Sequence, residues 1–336
     1  MVTIHDVAKK AGVSTTTVSH VINQTRFVSE SAARRVRRAM QELRYQPNAV
    51  ARSLRRKHTR TLGLVLPDSS NPFFAEVARG VEDFSFQQGY NVLFGSSDGD
   101  LEKESAYLRV FIEKQVDGLI FVAAGESTRN IRQLQAEHLP LVVVDREFKN
   151  LVADYVVADN RHGGFLATEH LIELGHRVIA CIAGPSSVTP SGERATGYRD
   201  ALKSHKVPFD PSLLRRGDFQ APSGFTAAQF FLARKSNRPT AIFACNDLMA
   251  LGALGAIYKA GLRVPDDIAI VGFDDIALAS YTSPPLTTIQ QPKYEMGKLA
   301  AQILIDRITT KKKNMAQRHL LPTQLIVRES TLRGAA

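Results

Sequence analysis

TIHDVAKKAGVSTTTVSHVINQTRFVSE, residues 3–30, places apolar residues at helical spacing on both sides of a short turn. The spacing predicts a first helix over residues 4–11, which ends at Gly12, and a second helix over residues 15–22. Two helices joined by a turn of a few residues that includes glycine are typical of a helix-turn-helix. We therefore expect an all-α head at this end of the chain.

Helix-start patterns mark the same three-helix unit. Thr3 with Asp6 approximates a capping box before the first helix, and Ser14 begins the second. A third helix is predicted from a Ser29 cap to about Tyr45. The outward side of the second helix carries short hydrogen-bonding groups suited to base edges in a major groove: Thr15, Thr16, Thr17 and His20.

The positive charge of the chain lies in this head. Residues 1–60 hold 13 Lys and Arg against 3 Asp and Glu, whereas the other 276 residues hold 30 of each. Cationic side chains displace counterions from phosphates and bind nucleic acid without sequence readout. A small helical bundle with a charged face is the alternative, and the charge segregation favours a DNA-binding head.

A second motif follows the head. Residues 46–48 break the helical pattern, and residues 49–56 are predicted to form a helix too short to be stable without a partner. Two such helices packed together in a dimer could enter a minor groove, with Leu54 wedged between base steps and Arg55 beside it.

Residues 3–30 and YQPNAVARSLRRKHT, residues 45–59, resemble the LacI/GalR family of repressors, nearest to its purine and ribose branch, and the resemblance covers essentially the whole chain. It implies that Thr15, Thr16 and His20 read the major groove and that Leu54 intercalates at a central CG step of a palindromic operator. The predicted DNA-contacting set is Thr3, Ser14, Thr15, Thr16, Thr17, His20, Asn23, Arg26, Tyr45, Leu54 and Arg55.

From residue 61 onward, apolar runs alternate with amphipathic segments. The runs are TLGLVLP (61–67), NVLFGSS (91–97), DGLIFVA (117–123), PLVVVD (140–145), VIACIAG (178–184), TAIFACND (240–247) and IAIVGFDD (268–275). Continuous apolar strands separated by helices predict parallel sheets with right-handed crossovers. The runs divide at about Asp159 into four and three, which predicts two doubly wound lobes with a ligand crevice between them.

The resemblance implies a periplasmic-binding-protein type I fold in which the chain crosses three times between lobes. The predicted domains are a helix-turn-helix head (1–46), a hinge helix and linker (47–60) and an effector-binding and dimerisation domain (61–336). The first lobe is expected at about 61–158 plus 291–318, and the second at about 159–290 plus 319–336.

Polar and aromatic residues follow the strands where they end. Planar bidentate groups match vicinal hydroxyls, and aromatic faces cover the apolar face of a sugar ring, so the pattern indicates a sugar pocket. It is similar to the ribose-binding constellation of the family's periplasmic relatives at Asn71, Phe73, Phe74, Asp145, Arg146, Arg194, Asn246, Asp274 and Gln291. A strand-end Asp or Asn is often only a helix cap, and Asp247 and Asp275 are expected to be caps.

Two residues after the fifth apolar run make a purine effector a weaker interpretation than a sugar. The positions that contact purine in the purine branch correspond here to Val188 and Pro190, whose side chains cannot hydrogen-bond a base. The expected effector is therefore ribose or another pentose acting as an inducer, and a purine-corepressed regulator is the alternative.

Other function classes fit less well. Residues 95–99 match the G-x-S-x-G pattern of a hydrolase, but no Asp and His are placed for a triad, and a tight turn with Asp100 capping the next helix is expected instead. Cys181 and Cys245 are expected to be buried thiols, and no metal or cofactor is predicted. A sugar-binding transport protein would explain neither the basic head nor the start MVTIHDVAKK, which lacks the apolar run of a signal peptide. We expect a cytoplasmic homodimer that binds a pseudo-palindromic DNA operator, with no membrane segment and no catalysis.

Overall fold

The structure is a computed structural model that describes residues 2–23, 25–45, 58–123, 125, 128–137, 139–148, 151–310 and 315–332. The chain divides into two compact units, residues 1–59 and 60–336. In the described part of the chain, no helix combines the length and the apolar character needed to cross a membrane.

The first unit is a three-helix bundle, as the sequence predicts. Its helices are α1 (Ile4–Ala11), α2 (Thr15–Asn23) and α3 (Glu30–Glu42). They bury one small apolar core made of Val7, Ala8, Ala11, Val18, Val36 and Ala39. Because this core contains residues of all three helices, it fixes the angle at which α2 is presented.

The helix ends of the head agree with the sequence at α1 and differ at α3. Thr3 and Asp6 form the predicted capping box, since the Thr3 amide donates to the Asp6 carboxylate and the Asp6 amide to the Thr3 hydroxyl. Ser29 stands at the start of α3, but its hydroxyl lies 3.3 Å from that of Ser31 and does not cap the backbone. The helix ends at Glu42 instead of Tyr45, because Arg44 takes a left-handed conformation with φ 49°.

The second unit contains two six-stranded sheets. The first sheet comprises β1 (Thr61–Leu66), β2 (Asn91–Ser96), β3 (Gly118–Phe121), β4 (Leu141–Val144), β5 (Asp154–Ala158) and β11 (Arg318–Leu321). All pairings are parallel in the order β2-β1-β3-β4-β5-β11, with Leu64 of β1 in register with Phe94 and Ile120. Its helices are α4 (Pro72–Gln87), α5 (Leu101–Glu113), α6 (Thr128–Ala136) and α11 (Lys293–Thr310).

The second sheet comprises β6 (Ile179–Ala183), β7 (Leu214–Arg216), β8 (Ala241–Ala244), β9 (Ala269–Asp274), β10 (Thr287–Gln290) and β12 (Gln324–Ile326). The order is β7-β6-β8-β9-β10-β12, and only the pairing of β12 with β10 is antiparallel. Its helices are α7 (Asn160–Glu173), α8 (Thr189–Ser204), α9 (Ala221–Leu232) and α10 (Asp247–Lys259). All seven predicted runs form strands; β5, β7, β10, β11 and β12 are additional to them.

The chain passes from one sheet to the other three times: after β5, between β10 and α11, and between β11 and β12. The last passage falls later than the sequence suggested. The sequence predicts that the first lobe ends at about residue 318, whereas the whole of β11, Arg318–Leu321, pairs with β5 in the first sheet. The first lobe therefore extends to Leu321, because the backbone of all four residues is held by that strand pairing.

Two smaller expectations are confirmed. Asp100 caps α5 by accepting a hydrogen bond of 2.8 Å from the amide of Glu102, and the expected turn lies between the end of β2 at Ser96 and this capped helix. Cys181 and Cys245 are fully buried, with their Sγ atoms 3.9 Å apart.

Close helix packing around Gly197 yields a stability prediction. A Cβ on this residue of α8 would overlap the backbone carbonyl oxygen of Arg161 in α7, whereas a Cβ on Gly192, in the same helix, meets nothing within 4 Å. We expect Gly197→Ala to lower the free energy of unfolding by roughly 1–3 kcal/mol, because overpacking forces the two helices apart. Gly192→Ala is the matched control and should be neutral or stabilising by up to about 1 kcal/mol. Urea unfolding measures both; equal effects would contradict the close approach.

Candidate functional site

The second unit contains a cavity of about 580 Å³ at the carboxyl ends of the strands of both sheets. Eight of the nine residues predicted to bind the effector line it: Asn71, Phe73, Phe74, Asp145, Arg146, Arg194, Asn246 and Asp274. Parallel strands that end at a common edge bring these side chains together from positions far apart in the sequence. The structure thus assembles most of the predicted set in one place.

The first lobe contributes two aromatic rings and a helix cap. Asn71 accepts a hydrogen bond of 3.0 Å from the amide of Phe73, so it caps α4 and fixes the start of that helix at the cavity. Phe73 and Phe74 pack edge to face with their ring centroids 5.0 Å apart. Both rings belong to the core of the lobe as well as to the cavity wall, which makes this wall rigid and apolar.

Arg194 lies in the second turn of α8 and is held from several sides. Its Nε donates to Asn160 over 2.8 Å, and its Nη1 donates to the carbonyl oxygen of Cys245 over 2.6 Å and lies 3.4 Å from an Asp274 oxygen. The guanidinium also stacks 3.9 Å from the ring centre of Phe273. These contacts fix its position before any ligand enters.

Arg146, which follows β4, has a different environment. It is 8% exposed, and its Nε and Nη1 atoms are buried without a hydrogen-bond partner among the described residues. The nearest carboxylate oxygen, on Asp145, is 4.0 Å from Nε. Burial lowers the pKa of Arg146 from its usual value, with Asp145 and Glu104 opposing that shift. Two buried donors without acceptors are costly, so this side chain is suited to acceptor atoms of a ligand.

Asp274 is the buried acceptor opposite these arginines. Burial raises its pKa to about 6, while Arg194, Gln291 and Lys293 act to lower it. Burial also raises the pKa of Asp145, with Arg194 and Arg146 opposing. Both carboxyls have lost hydration through burial, and ligand hydroxyls at the cavity could replace the hydrogen bonds that water no longer supplies.

Gln291 is bonded to a residue that lines the cavity. It is absent from the lining residues, and its Nε2 donates to Asp274 over 2.7 Å. That Gln291 contacts the ligand stays a prediction: its Nε2 is bonded to Asp274, while its Oε1 is buried without a hydrogen-bond partner among the described residues.

The expectation that Asp247 and Asp275 are helix caps is wrong. Asn246 caps α10 by accepting from the amide of Met249, while the fully buried Asp247 accepts from the amide of Ile276 and from the hydroxyl of Thr288. Burial and the nearby Asp274 raise the pKa of Asp247 well above its usual range. Asp275 instead binds Arg328 over 2.7 Å and Gln290 over 3.0 Å.

Several lining residues were not predicted. They are Pro67, Asp68, Ser70, Asp98, Gly99, Pro185, Asp218, Phe219 and Gln220. Residues 218–220 follow β7, whose sequence LRR has no apolar run to mark it as a strand. Asp68 directly follows the first predicted run, so the strand-end rule could have found it. Asn246 donates to the carbonyl oxygen of Phe219 over 2.9 Å, which ties this loop to the predicted site.

In the head, the predicted DNA-contacting residues of α2 lie on its accessible side. Ser14 and Thr16 are exposed, while Thr15, Thr17 and His20 are half-buried. Ser14 also caps α2 by accepting from the amide of Thr17 over 3.1 Å.

The remaining predicted contacts have mixed surroundings. Thr3 and Arg26 are exposed, Asn23 is half-buried and donates to the carbonyl oxygen of Ser19, and Tyr45 packs against the core of the head. Leu54 and Arg55 lie outside the described residues.

Comparisons with known proteins agree with this architecture. Residues 3–48 match the profile of bacterial regulatory proteins of the lacI family, and residues 168–331 match a periplasmic binding protein-like domain. The chain is 45% identical over 334 residues to the HTH-type transcriptional repressor PurR of Aliivibrio fischeri strain MJ11, covering 99% of each chain.

Two solved structures are also similar. The lac repressor dimer bound to operator and the anti-inducer ONPF superposes with a TM-score of 0.88 at 32% identity, covering 99% of each chain. A LacI family regulator from Enterococcus faecium with bound ribose gives a TM-score of 0.73 at 33% identity, over 81% of this chain and 98% of that one.

A helix-turn-helix head followed by a two-lobed domain with a polar cavity defines a ligand-responsive transcription regulator. The chain belongs to the LacI family of bacterial regulatory proteins. It is a DNA-binding transcriptional repressor that responds to a small-molecule effector, and it is not an enzyme.

Asp274 makes stability depend on pH in a defined direction. Its pKa of about 6 exceeds the usual 3.8, so between these values the folded chain keeps a proton that the unfolded chain releases. The contribution of this carboxyl to stability is thus greatest below pH 3.8 and is lost as the pH rises to about 6. We expect the free energy of unfolding of Asp274→Asn, relative to wild type, to increase over this interval. Urea unfolding at several pH values measures it, and a constant difference would refute the assignment.

Proposed function

We propose that the protein is a repressor whose operator affinity is lowered by a small sugar, ribose or another pentose, bound in the cavity. The observation that carries this proposal is that two buried nitrogens of Arg146, Nε and Nη1, have no hydrogen-bond partner among the described residues, at a cavity that the carboxyls of Asp145 and Asp274 also line. A polyol is both donor and acceptor at every hydroxyl, so it can satisfy the arginine and the aspartates together.

The apolar lining supports a sugar over a purine base. Val188 and Pro190 line the cavity, and neither side chain can donate or accept a hydrogen bond. Phe73 and Phe74 supply rigid aromatic surface for the apolar face of a ring. The Enterococcus faecium relative, at 33% identity, is a structure with bound ribose.

A purine-corepressed regulator is the second candidate. Its specific support is the 45% identity to a repressor named PurR over nearly the whole chain. The two candidates differ in the sign of coupling as well as in the ligand, because a corepressor strengthens operator binding and an inducer weakens it.

We further propose that the head reads a pseudo-palindromic operator with a central CG step. Thr15, Thr16 and His20 would contact base edges in the major groove. Residues 47–60 would form a hinge between the head, residues 1–46, and the sensor, residues 61–336. Leu54 and Arg55 of this hinge would act in the minor groove, as the family resemblance implies.

A palindromic site requires a two-fold symmetric protein, and the first lobe presents an apolar surface suited to self-association. Edge strand β2 leaves Phe94 47% exposed and Leu93 37% exposed, and nearby Leu101 and Val110 of α5 are each 42% exposed. Apolar side chains clustered on an open sheet edge typically mark a protein interface. We propose a homodimer that buries this surface.

A charge on the edge strand tests the dimer. Phe94→Glu should shift sedimentation from dimer to monomer at micromolar protein, because the carboxylate would have to be buried against its own copy. Phe209→Glu, a change of an equally aromatic but separate surface residue of the second lobe, is the control and should leave the dimer intact. A Phe94→Glu protein that remains dimeric would place the interface elsewhere.

The effector is tested by calorimetric titration with ribose, other pentoses, hexoses, hypoxanthine and guanine, with and without a palindromic CG-centred operator. Ribose binding that weakens operator affinity is the expected result. Purine binding that strengthens operator affinity would replace the proposal with the second candidate.

The same titration distinguishes the two arginines. Arg146→Leu should lose at least about 100-fold in ribose affinity with little loss of folding stability, because its buried nitrogens bond no described residue. Arg194→Leu should lose both, since Asn160 and the Cys245 carbonyl would lose their donor. Unchanged ribose affinity in Arg146→Leu would remove the observation on which the sugar assignment rests.

A further inference from the structure

The cavity lining carries an excess of negative charge. Five aspartates and two arginines line it, namely Asp68, Asp98, Asp145, Asp218, Asp274, Arg146 and Arg194. Each arginine is already close to a carboxylate on the cavity floor: Arg146 lies 4.0 Å from Asp145, and Arg194 lies 3.4 Å from Asp274. The other three aspartates are more exposed to solvent, and we call the part of the lining that they form the cavity mouth.

At the mouth, Asp68 and Asp218 bind one glutamine from opposite lobes. Gln220 donates its side-chain amide to Asp68 over 2.9 Å and its backbone amide to Asp218 over 2.9 Å. Asp68 also accepts from the amide and the hydroxyl of Ser70. The donors to these two carboxylates among the described residues are therefore neutral amides and a hydroxyl, whereas Asp98 is paired with Lys103.

The negative charge of Asp68 is maintained at neutral pH. Partial burial by itself would raise the pKa of Asp68, but the hydrogen bonds from Ser70, Gln220 and the Asn71 amide outweigh it and lower the pKa. These donors neutralise no charge, so Asp68 projects a full negative charge at the entrance.

We propose that the rim formed by Asp68, Gln220 and Asp218 is a specificity determinant that selects an uncharged effector and rejects its phosphorylated form. This inference rests on the proposed function, because it concerns the same cavity. A phosphate monoester carries about −1.5 to −2 charges at pH 7 and needs cationic partners. Arg194 is bonded to Asp274 and Arg146 lies beside Asp145, so neither guanidinium offers a phosphate an excess of positive charge.

Helix N-termini at the cavity do not reverse this preference. The start of α4 lies just after Asp68, and the start of α9 lies just after Asp218. The partial positive charge of a helix N-terminus favours an adjacent anion, and here Asp68 already accepts from the amide of Asn71, which precedes α4, and Asp218 from that of Gln220, which precedes α9. A ligand phosphate would have to displace or oppose them.

The test compares matched pairs of compounds by calorimetry on the full-length protein: ribose with ribose 5-phosphate, and inosine with inosine 5′-monophosphate. For the neutral compound that binds, we expect its phosphorylated partner to bind at least about 100-fold more weakly in wild type. In the double variant Asp68→Asn/Asp218→Asn, the ratio of the dissociation constants of the phosphorylated and the neutral compound should shrink at least about 10-fold. The reason is that the amides keep an acceptor oxygen while losing the charge.

Two controls separate the rim from general effects. Asp306→Asn removes one exposed charge near the end of α11, outside the cavity lining, and should leave the ratio unchanged. Raising the salt from about 0.05 M to about 0.5 M should narrow the wild-type ratio, since exposed charges are screened.

The outcomes are distinguishable from those of the proposed function. Equal binding of ribose and ribose 5-phosphate by wild type overturns the rim inference and leaves the sugar assignment standing. If the double variant still prefers the neutral compound as strongly as wild type does, the shape of the cavity makes the selection, and the rim inference is overturned. A strong preference for inosine over inosine 5′-monophosphate that is lost in the double variant supports the rim and overturns the sugar assignment. Preference for any phosphorylated compound overturns the rim directly.

Discussion

The guanidinium of Arg194 is the interaction on which the effector site depends. It joins α7 through Asn160, the end of β8 through the carbonyl oxygen of Cys245, and the end of β9 through Asp274. Burying a cation is costly unless its donors are paired, and here the pairs are supplied by three different elements of one lobe. The position of each strand end is thereby fixed relative to the others, and the cavity keeps its shape without a ligand.

The two arginines of the cavity have different roles, one in the fold and one in ligand recognition. Arg194 is bonded by the protein itself, whereas Arg146 retains buried donors that the described residues do not use. Polar groups that are already hydrogen-bonded within the protein preserve the shape of a site. Buried polar groups without a protein partner supply affinity when a ligand replaces the water that they lose. The difference explains why two residues of the same type, both at the cavity, cannot be assigned the same role from the sequence.

The sequence predicted the architecture well because burial on both faces leaves a strong pattern. The seven apolar runs from 61–67 to 268–275 are all strands, and eight of nine proposed ligand residues line one cavity. The pattern failed where strands are short or lie at an edge, as for β7 with its sequence LRR, and the loop that follows β7 was missed with it. Asp247 was misassigned because a strand-end aspartate looks like a cap, and only the three-dimensional packing shows that it bonds Thr288 and the amide of Ile276.

The turn after β9 links the effector site to the passage between lobes. Asp274 and Asp275 both have positive φ angles, 113° and 55°, a conformation that side-chain-bearing residues adopt at a cost of about 1–3 kcal/mol each. Their carbonyl oxygens accept hydrogen bonds of 2.7 Å from the buried ammonium of Lys293, the first residue of α11. That helix packs on the first lobe, against α4 and strands β3 to β5. Because the strained turn of one lobe is bonded to a helix of the other, the orientation of the Asp274 carboxyl and the relative position of the lobes cannot change independently. A ligand that bonds Asp274 therefore acts on the passage between the lobes as well as on the cavity.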